Sequence, residues 1–191
     1  MNAVYTTIII ACWASILIVW TVGFFGNKRT TSIPRSLKQF AINGFLVIGF
    51  ILLVKGFVTP HTGSDDAITP SSLFSFIGTA MTITGTIFAI WARLALGRNW
   101  SGAVITLKER HELVTTGPYR LVRHPIYSGL LLVALGAVLV DASIEGIIGL
   151  AGITIALILR IPEEESLMTH AFPSVYSAYR ARTKKLLPFV W

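Results

Sequence analysis

The chain has 191 residues, 53% hydrophobic and 13% charged, with a net charge of +7 and one cysteine. A charged share about half of the ~25% usual in soluble domains, with apolar runs of about 20 residues, excludes a soluble all-helical protein, because so short a chain cannot bury every such helix on all sides. The lone Cys12 excludes an internal disulfide and a cysteine-rich metal site, and basic cytoplasmic loops explain the positive charge better than nucleic acid does.

A first span runs from about Val4 to Phe25. It is longer than a signal h-region and no Lys or Arg precedes it, so a retained helix is expected. Gly26-Asn27 suits its C-terminal end, since both residues tolerate a left-handed backbone. Cys12 lies inside this span with no His or carboxylate near it in sequence, and reads as a packing or lipid-facing residue. The following loop, to about Lys38, carries Lys28, Arg29, Arg35 and Lys38. A second span runs from about Gln39 to Val58 and stops before Pro60, which cannot continue a helix. Asp65 and Asp66 follow, with no basic residue beside them. Thr69-Pro70-Ser71-Ser72 offers a helix start, and a third span runs from about Ser72 to Leu96, ended by Gly97.

Residues Arg98 to His124 are polar and basic and must lie outside the hydrocarbon, where irregular backbone is not tolerated against lipid. Pro125 fits the first turn of a fourth span, where its missing N–H is harmless. That span runs to about Val140. Asp141-Ala142-Ser143 predicts a tight turn into a fifth span ending near Ile161, so the fourth and fifth spans form an antiparallel hairpin. Gly146, Gly149 and Gly152 give the fifth span a small-residue face for a close neighbour. The same thinness leaves room for an acceptor chain beside the hairpin. Pro162 is expected to open a separate short helix with Glu163, Glu164 and Glu165 in its first turn. Pro173 opens a last helix with Tyr176 and Tyr179 near one face.

The expected fold is therefore all-α: a polytopic membrane bundle of about five transmembrane helices with a C-terminal helical hairpin. Residues 1–71 hold two N-terminal spans and 72–191 the core. Lys and Arg concentrate in the first loop, the connector after the third span and the tail. That asymmetry predicts an external N-terminus, with connector and tail cytoplasmic.

The most informative stretch is the connector end, His111 to Tyr127. It combines fixed backbone (Pro118, Pro125), permissive backbone (Gly117), the heads of Arg120 and Arg123, two imidazoles and two phenols. The hairpin should bring Arg123-His124-Pro125-Ile126-Tyr127 up against Glu164-Glu165. Such a site has a cationic side for a carboxylate, a carboxylate side for an ammonium or ribose hydroxyls, and flat rings for a base. Taken singly, Arg120 and Arg123 also read as positive-inside residues, Glu163 as solvated, and Trp100, Tyr119 and Tyr127 as interfacial aromatics.

Together these residues resemble the isoprenylcysteine carboxyl methyltransferase family and the related phospholipid methyltransferases. The carriers are Arg123-His124-Pro125-Ile126-Tyr127, a hydrophobic hairpin, Glu164-Glu165, Met168, and Phe172, Tyr176 and Tyr179 in the tail. Upstream, Gly97-Arg98-Asn99-Trp100-Ser101, His111-x-Leu113-Val114 and Gly117-Pro118-Tyr119 continue the likeness. It covers roughly residue 90 onward, with Pro173 where the family has Gly. The resemblance implies a multi-pass membrane methyltransferase that uses S-adenosyl-L-methionine, with its cofactor pocket facing the cytoplasm. The pocket would use His111, Leu113, Val114, Tyr119, Arg123, His124, Pro125, Tyr127, Glu164 and Glu165, and no metal. The acceptor would be a membrane lipid or a prenylated or amphipathic small molecule, methylated at a carboxylate as in a prenylcysteine. Glu164 is expected at the reacting centre, and Arg160 either anchors an anionic acceptor there or snorkels. The rival readings are a phospholipid or amine N-methyltransferase, an NADPH-dependent sterol-type reductase of similar architecture, and a non-enzymatic membrane protein.

Overall fold

The structure, a computed structural model, describes residues 3–26, 36–58, 70–100 and 112–188. Among the described residues there are six α-helices, in the order α1 (Ala3–Phe25), α2 (Leu37–Val58), α3 (Ser72–Leu96), α4 (Pro125–Asp141), α5 (Ile144–Ala171) and α6 (Pro173–Arg182). Short 3₁₀ turns at Gly97–Asn99 and Gly117–Arg120 flank the connector. Lys28, Arg29, Arg35, Asp65, Asp66 and His111 lie outside the described residues.

Local chemistry sets the ends. The Ser71 hydroxyl accepts from the Phe74 amide at 3.4 Å to start α3, and the Ser143 hydroxyl accepts from Gly146 at 3.0 Å to start α5. Gly97 closes α3 at φ 55°, in the half of the map that penalises a Cβ. Pro125 opens α4. Four helices, α1, α2, α3 and α5, are long and apolar enough to cross a membrane. The 17-residue α4 is apolar but shorter, about 26 Å at 1.5 Å per residue. Large apolar side chains such as Val22, Phe25, Phe40 and Ile48 face outward, as a multi-pass bundle against lipid requires.

Two helix pairs dominate the packing, α3 with α4 and α2 with α5, while α1 lies across α3 and α4. Both pairs meet backbone to backbone. A Cβ added to Gly136 of α4 would come within 2.4 Å of the Gly78 carbonyl on α3. One added to Gly149 of α5 would come within 2.6 Å of the Gly49 carbonyl on α2. The small-residue face of α5 is thus used as expected, but it is filled by α2: the space expected beside it for an acceptor chain is closed by Gly49 and Leu53.

The second correction concerns Pro162. It does not start a new helix; α5 runs through it to Ala171. The ring removes one backbone hydrogen bond, but side chains brace the turn across it. Arg160 Nε donates to Glu164 Oε1 at 2.8 Å, four residues apart, and Lys38 of α2 reaches Glu163 at 2.9 Å. Proline in an apolar helix is tolerated where neighbours hold the turn in this way. Glu163, Glu164 and Glu165 consequently sit on the flank of a long helix and not at a helix start.

Candidate functional site

At the end of the bundle where α4 begins, a cavity of about 330 Å³ opens among α1, α2, α4, α5, α6 and the connector, toward the small end of the ~300–1,000 Å³ typical of ligand sites. The structure brings Leu113, Val114, Tyr119, Arg123, His124, Tyr127, Arg160 and Glu164 together in its wall. Glu165 and Pro125 stand just behind it, Glu165 paired to Arg123 and Pro125 fully buried at the start of α4.

The polar wall is one continuous network. Tyr127 Oη and Arg160 Nε both donate to Glu164 Oε1. Nδ1 of His124 lies 3.5 Å from Glu164 Oε2, and its Nε2 lies 3.5 Å from Glu165 Oε1. These separations are long, and Nε2 is buried without a hydrogen-bond partner among the described residues. The His124 and Tyr127 rings stack, 4° from parallel with centroids 5.5 Å apart. Arg123 Nε donates to Glu165 Oε1 at 2.7 Å, both side chains more than nine-tenths buried.

Electrostatics follow from these neighbours. Burial disfavours a charged His124 imidazole, yet Glu164 and Glu165 on either side outweigh it, and the net shift is upward. Burial, then the Glu164 charge, pushes the Tyr119 phenol well above its ordinary value. Burial pushes Tyr179 up to about 12. The phenols in this wall therefore remain protonated donors at neutral pH.

The chain's tail fastens the motif from outside. The Arg123 and His124 amides donate to the Lys184 and Lys185 carbonyls at 2.8 and 3.0 Å. Arg123 Nη1 donates to the Arg180 and Thr183 carbonyls. Ser128 Oγ donates to Leu186 O at 2.6 Å, and Tyr179 Oη to Tyr119 O at 2.6 Å. Arg123, expected to meet a ligand, is thus largely committed to Glu165 and the tail.

Sequence reasoning missed several wall residues. Trp20 from α1 and Leu46 from α2 line the cavity, although the two N-terminal spans carry no motif. Both look like ordinary membrane-helix residues, and no periodic signal separates them from lipid-facing neighbours. From the sequence Trp100 reads as part of the resemblance or as an interfacial aromatic. Here it meets Trp20 edge to face at 6.3 Å, and the buried Arg93 guanidinium sits 4.6 Å from its ring centroid. Leu96, Glu112, Leu130, Leu157, Leu167, Met168, Tyr176 and Tyr179 complete most of the rest.

Residues 78–170 match the Isoprenylcysteine carboxyl methyltransferase (ICMT) family. The chain is 32% identical over 123 residues to a probable protein-S-isoprenylcysteine O-methyltransferase of Oryza sativa subsp. indica, covering 61% of this chain and 62% of that protein. It is 33% identical over 118 residues to protein-S-isoprenylcysteine O-methyltransferase B of Arabidopsis thaliana, covering 61% and 60%. It is also 29% identical over 146 residues to the nickel-cobalt-cadmium resistance protein NccN of Alcaligenes xylosoxydans xylosoxydans, covering 75% and 62%. The matches therefore span less than two thirds of these relatives' own lengths.

Proposed function

Because residues 78–170 match the isoprenylcysteine carboxyl methyltransferase family, we propose that the chain is a membrane methyltransferase that uses S-adenosyl-L-methionine on a prenylcysteine-like carboxylate. The observation that carries the reading is the network joining His124, Tyr127, Arg160, Glu164 and Glu165 in one cavity wall.

The wall fits such a donor. Glu164 Oε1 receives both Tyr127 and Arg160, while His124 Nδ1 stands 3.5 Å from Oε2. Oε2 is the acceptor for an ammonium or a ribose hydroxyl. His124 Nε2 is a buried ring nitrogen with hydrogen-bonding capacity to spare. Leu113, Val114 and Tyr119 add apolar and aromatic surface for a base. When bound, the donor supplies a methyl group on a positively charged sulfur with a good leaving group. A carboxylate acceptor is already ionised at neutral pH, so the chain's residues need only orient and desolvate it. Arg160 is the acceptor's anchor: it is 4% exposed and lines the cavity, with its Nε held by Glu164. Arg123 is structural, holding Glu165 and the tail. The active site faces the cytoplasm by the charge asymmetry of the loops.

Titration of the purified protein in nanodiscs with S-adenosylhomocysteine and, separately, NADPH tests the reading. Binding of the first alone is expected. Binding of NADPH alone would make the chain a reductase, and binding of neither would remove the enzyme reading.

A further inference from the structure

One stretch of the cavity wall is held from outside the cavity. Trp100 lines it together with Val114 and Tyr119, the residues that offer surface to a base. Tyr119 belongs to a buried cluster with Ala92 and Ile126, and Val114, Trp100 and Trp20 all pack against that cluster. Trp20 comes from α1 and meets Trp100 edge to face. Beside the pair stands Arg93 of α3, 3% exposed and outside the cavity lining. A cation buried so deeply needs polar company. Its Nη1 donates to the Gly97 carbonyl at 2.8 Å, and its guanidinium carbon lies 4.6 Å from the centroid of the Trp100 ring.

A glycine of α1 sets where that guanidinium sits. A Cβ added to Gly23 would fall 2.8 Å from Arg93 Cζ, with Nη2 nearer still and Nε at 3.4 Å. The head of Arg93 thus occupies the space that a side chain at position 23 would take. Gly23 lies three residues after Trp20, so the two are neighbours on one side of α1. The turn that precedes Trp100 is tied to the same end of α1, since Arg98 Nε donates to the Gly26 carbonyl at 3.0 Å. Trp20 and Gly23 both lie outside the family-matched segment.

We infer that Arg93 is a positioning residue for the methyl donor: seated against Gly23, it holds Trp100 in the cavity wall as a further surface for the donor's base. This deepens the proposed function and rests on its assignment of Val114 and Tyr119 to the base. Arg93 touches neither donor nor reacting atoms and acts through Trp100. Displacing it weakens donor binding without slowing the chemical step, because contacts to the base are the same in the ground and transition states.

Gly23→Ala displaces the guanidinium while the bundle stays folded. The three nearest atoms its methyl meets all belong to the flexible head of Arg93, and alanine suits a helix better than glycine. In nanodisc-embedded full-length protein, S-adenosylhomocysteine affinity should fall about fivefold or more in this variant, the lower range of a base–aromatic stacking contact. The donor's KM should rise in step, while kcat at saturating donor, with a prenylcysteine acceptor, is kept. Arg93→Gln should weaken S-adenosylhomocysteine similarly, and adding Gly23→Ala to it should cost nothing further, since the group it displaces is gone. Tryptophan emission should shift on Gly23→Ala in the wild-type background and not in the Arg93→Gln background. Gly44→Ala, where a Cβ meets nothing within 4 Å, should match wild type throughout. Unchanged affinity in folded Gly23→Ala, a loss of kcat alone, or full additivity of the two changes overturns the inference and leaves the enzyme reading standing. Wild-type protein that binds no S-adenosylhomocysteine removes the donor reading and this role with it.

Discussion

The two glycine seams and the polar wall of the cavity are held by opposite means. At Gly78–Gly136 and Gly49–Gly149 the backbones themselves touch and no charge is involved. Against lipid there is no hydrophobic gain from bringing helices together, so association rests on close approach. Where α4 begins, Tyr127 and the preceding Arg123 are joined to α5 instead by Tyr127–Glu164 and Arg123–Glu165. Buried charges of this kind contribute little net stability, because desolvation offsets attraction. What they supply is orientation. The seams depend on small size; the wall depends on keeping each donor and acceptor in place.

The sharpest way to break the comparison is a side chain in a seam. Gly136→Leu should abolish the folded bundle, because the clash is with the Gly78 carbonyl and the Thr82 backbone, neither of which can rotate away. Gly44→Leu is the control, since nothing lies within 4 Å of a Cβ there; size-exclusion profiles should show loss for the first and none for the second. Next, Glu165→Ala leaves Arg123 buried without its carboxylate and should cost about 3–5 kcal/mol, read as a lower thermal midpoint. A midpoint equal to wild type would show that the Arg180 and Thr183 carbonyls suffice for Arg123. Arg160→Lys should lower turnover of a carboxylate acceptor about tenfold or more while the protein stays folded, since an ammonium cannot reproduce the guanidinium fork. A full-speed variant removes Arg160 as the anchor.

Smaller effects test orientation alone. His124 holds its proton more tightly in the native site than in the unfolded chain. Its stabilising contribution is therefore complete below about pH 6.5. It fades as the pH climbs through the raised native value. His124→Asn should flatten that part of the midpoint-versus-pH curve, and an unaltered curve would show that another group titrates there. Tyr179→Phe removes the hydrogen bond to the Tyr119 carbonyl and should cost about 1 kcal/mol. Rigid retention of donor affinity in that variant would mean the tail braces the wall elsewhere.

Much of this is legible in the sequence. Spans were readable because runs of Leu, Ile, Val and Phe need about 20 residues to cross hydrocarbon, and Ser71, Gly97 and Pro125 carry their boundary chemistry in the side chain or its absence. Arg123, His124, Tyr127, Glu164 and Glu165 were readable because polar residues flanking apolar helices have few other reasons to be ordered so. Pro162 was misread because its effect is decided by Arg160–Glu164 and Lys38–Glu163, pairs that exist only after α5 has formed beside α2. Trp20 and Leu46 were invisible because facing a cavity and facing lipid demand the same apolar side chain.

The tail's grip on the motif has a consequence for how the protein is made. The carbonyls that receive the Arg123 and His124 amides belong to Lys184 and Lys185, which leave the ribosome only after α1 to α6 have been synthesised. Every span is then already available for insertion while the pocket still lacks its outer clasp. A chain released after Arg182 should be fully membrane-integrated yet unable to retain S-adenosylhomocysteine, and one released after Pro188 should retain it. Maturation of the site would then follow insertion of α1 to α6 as an event separate in time.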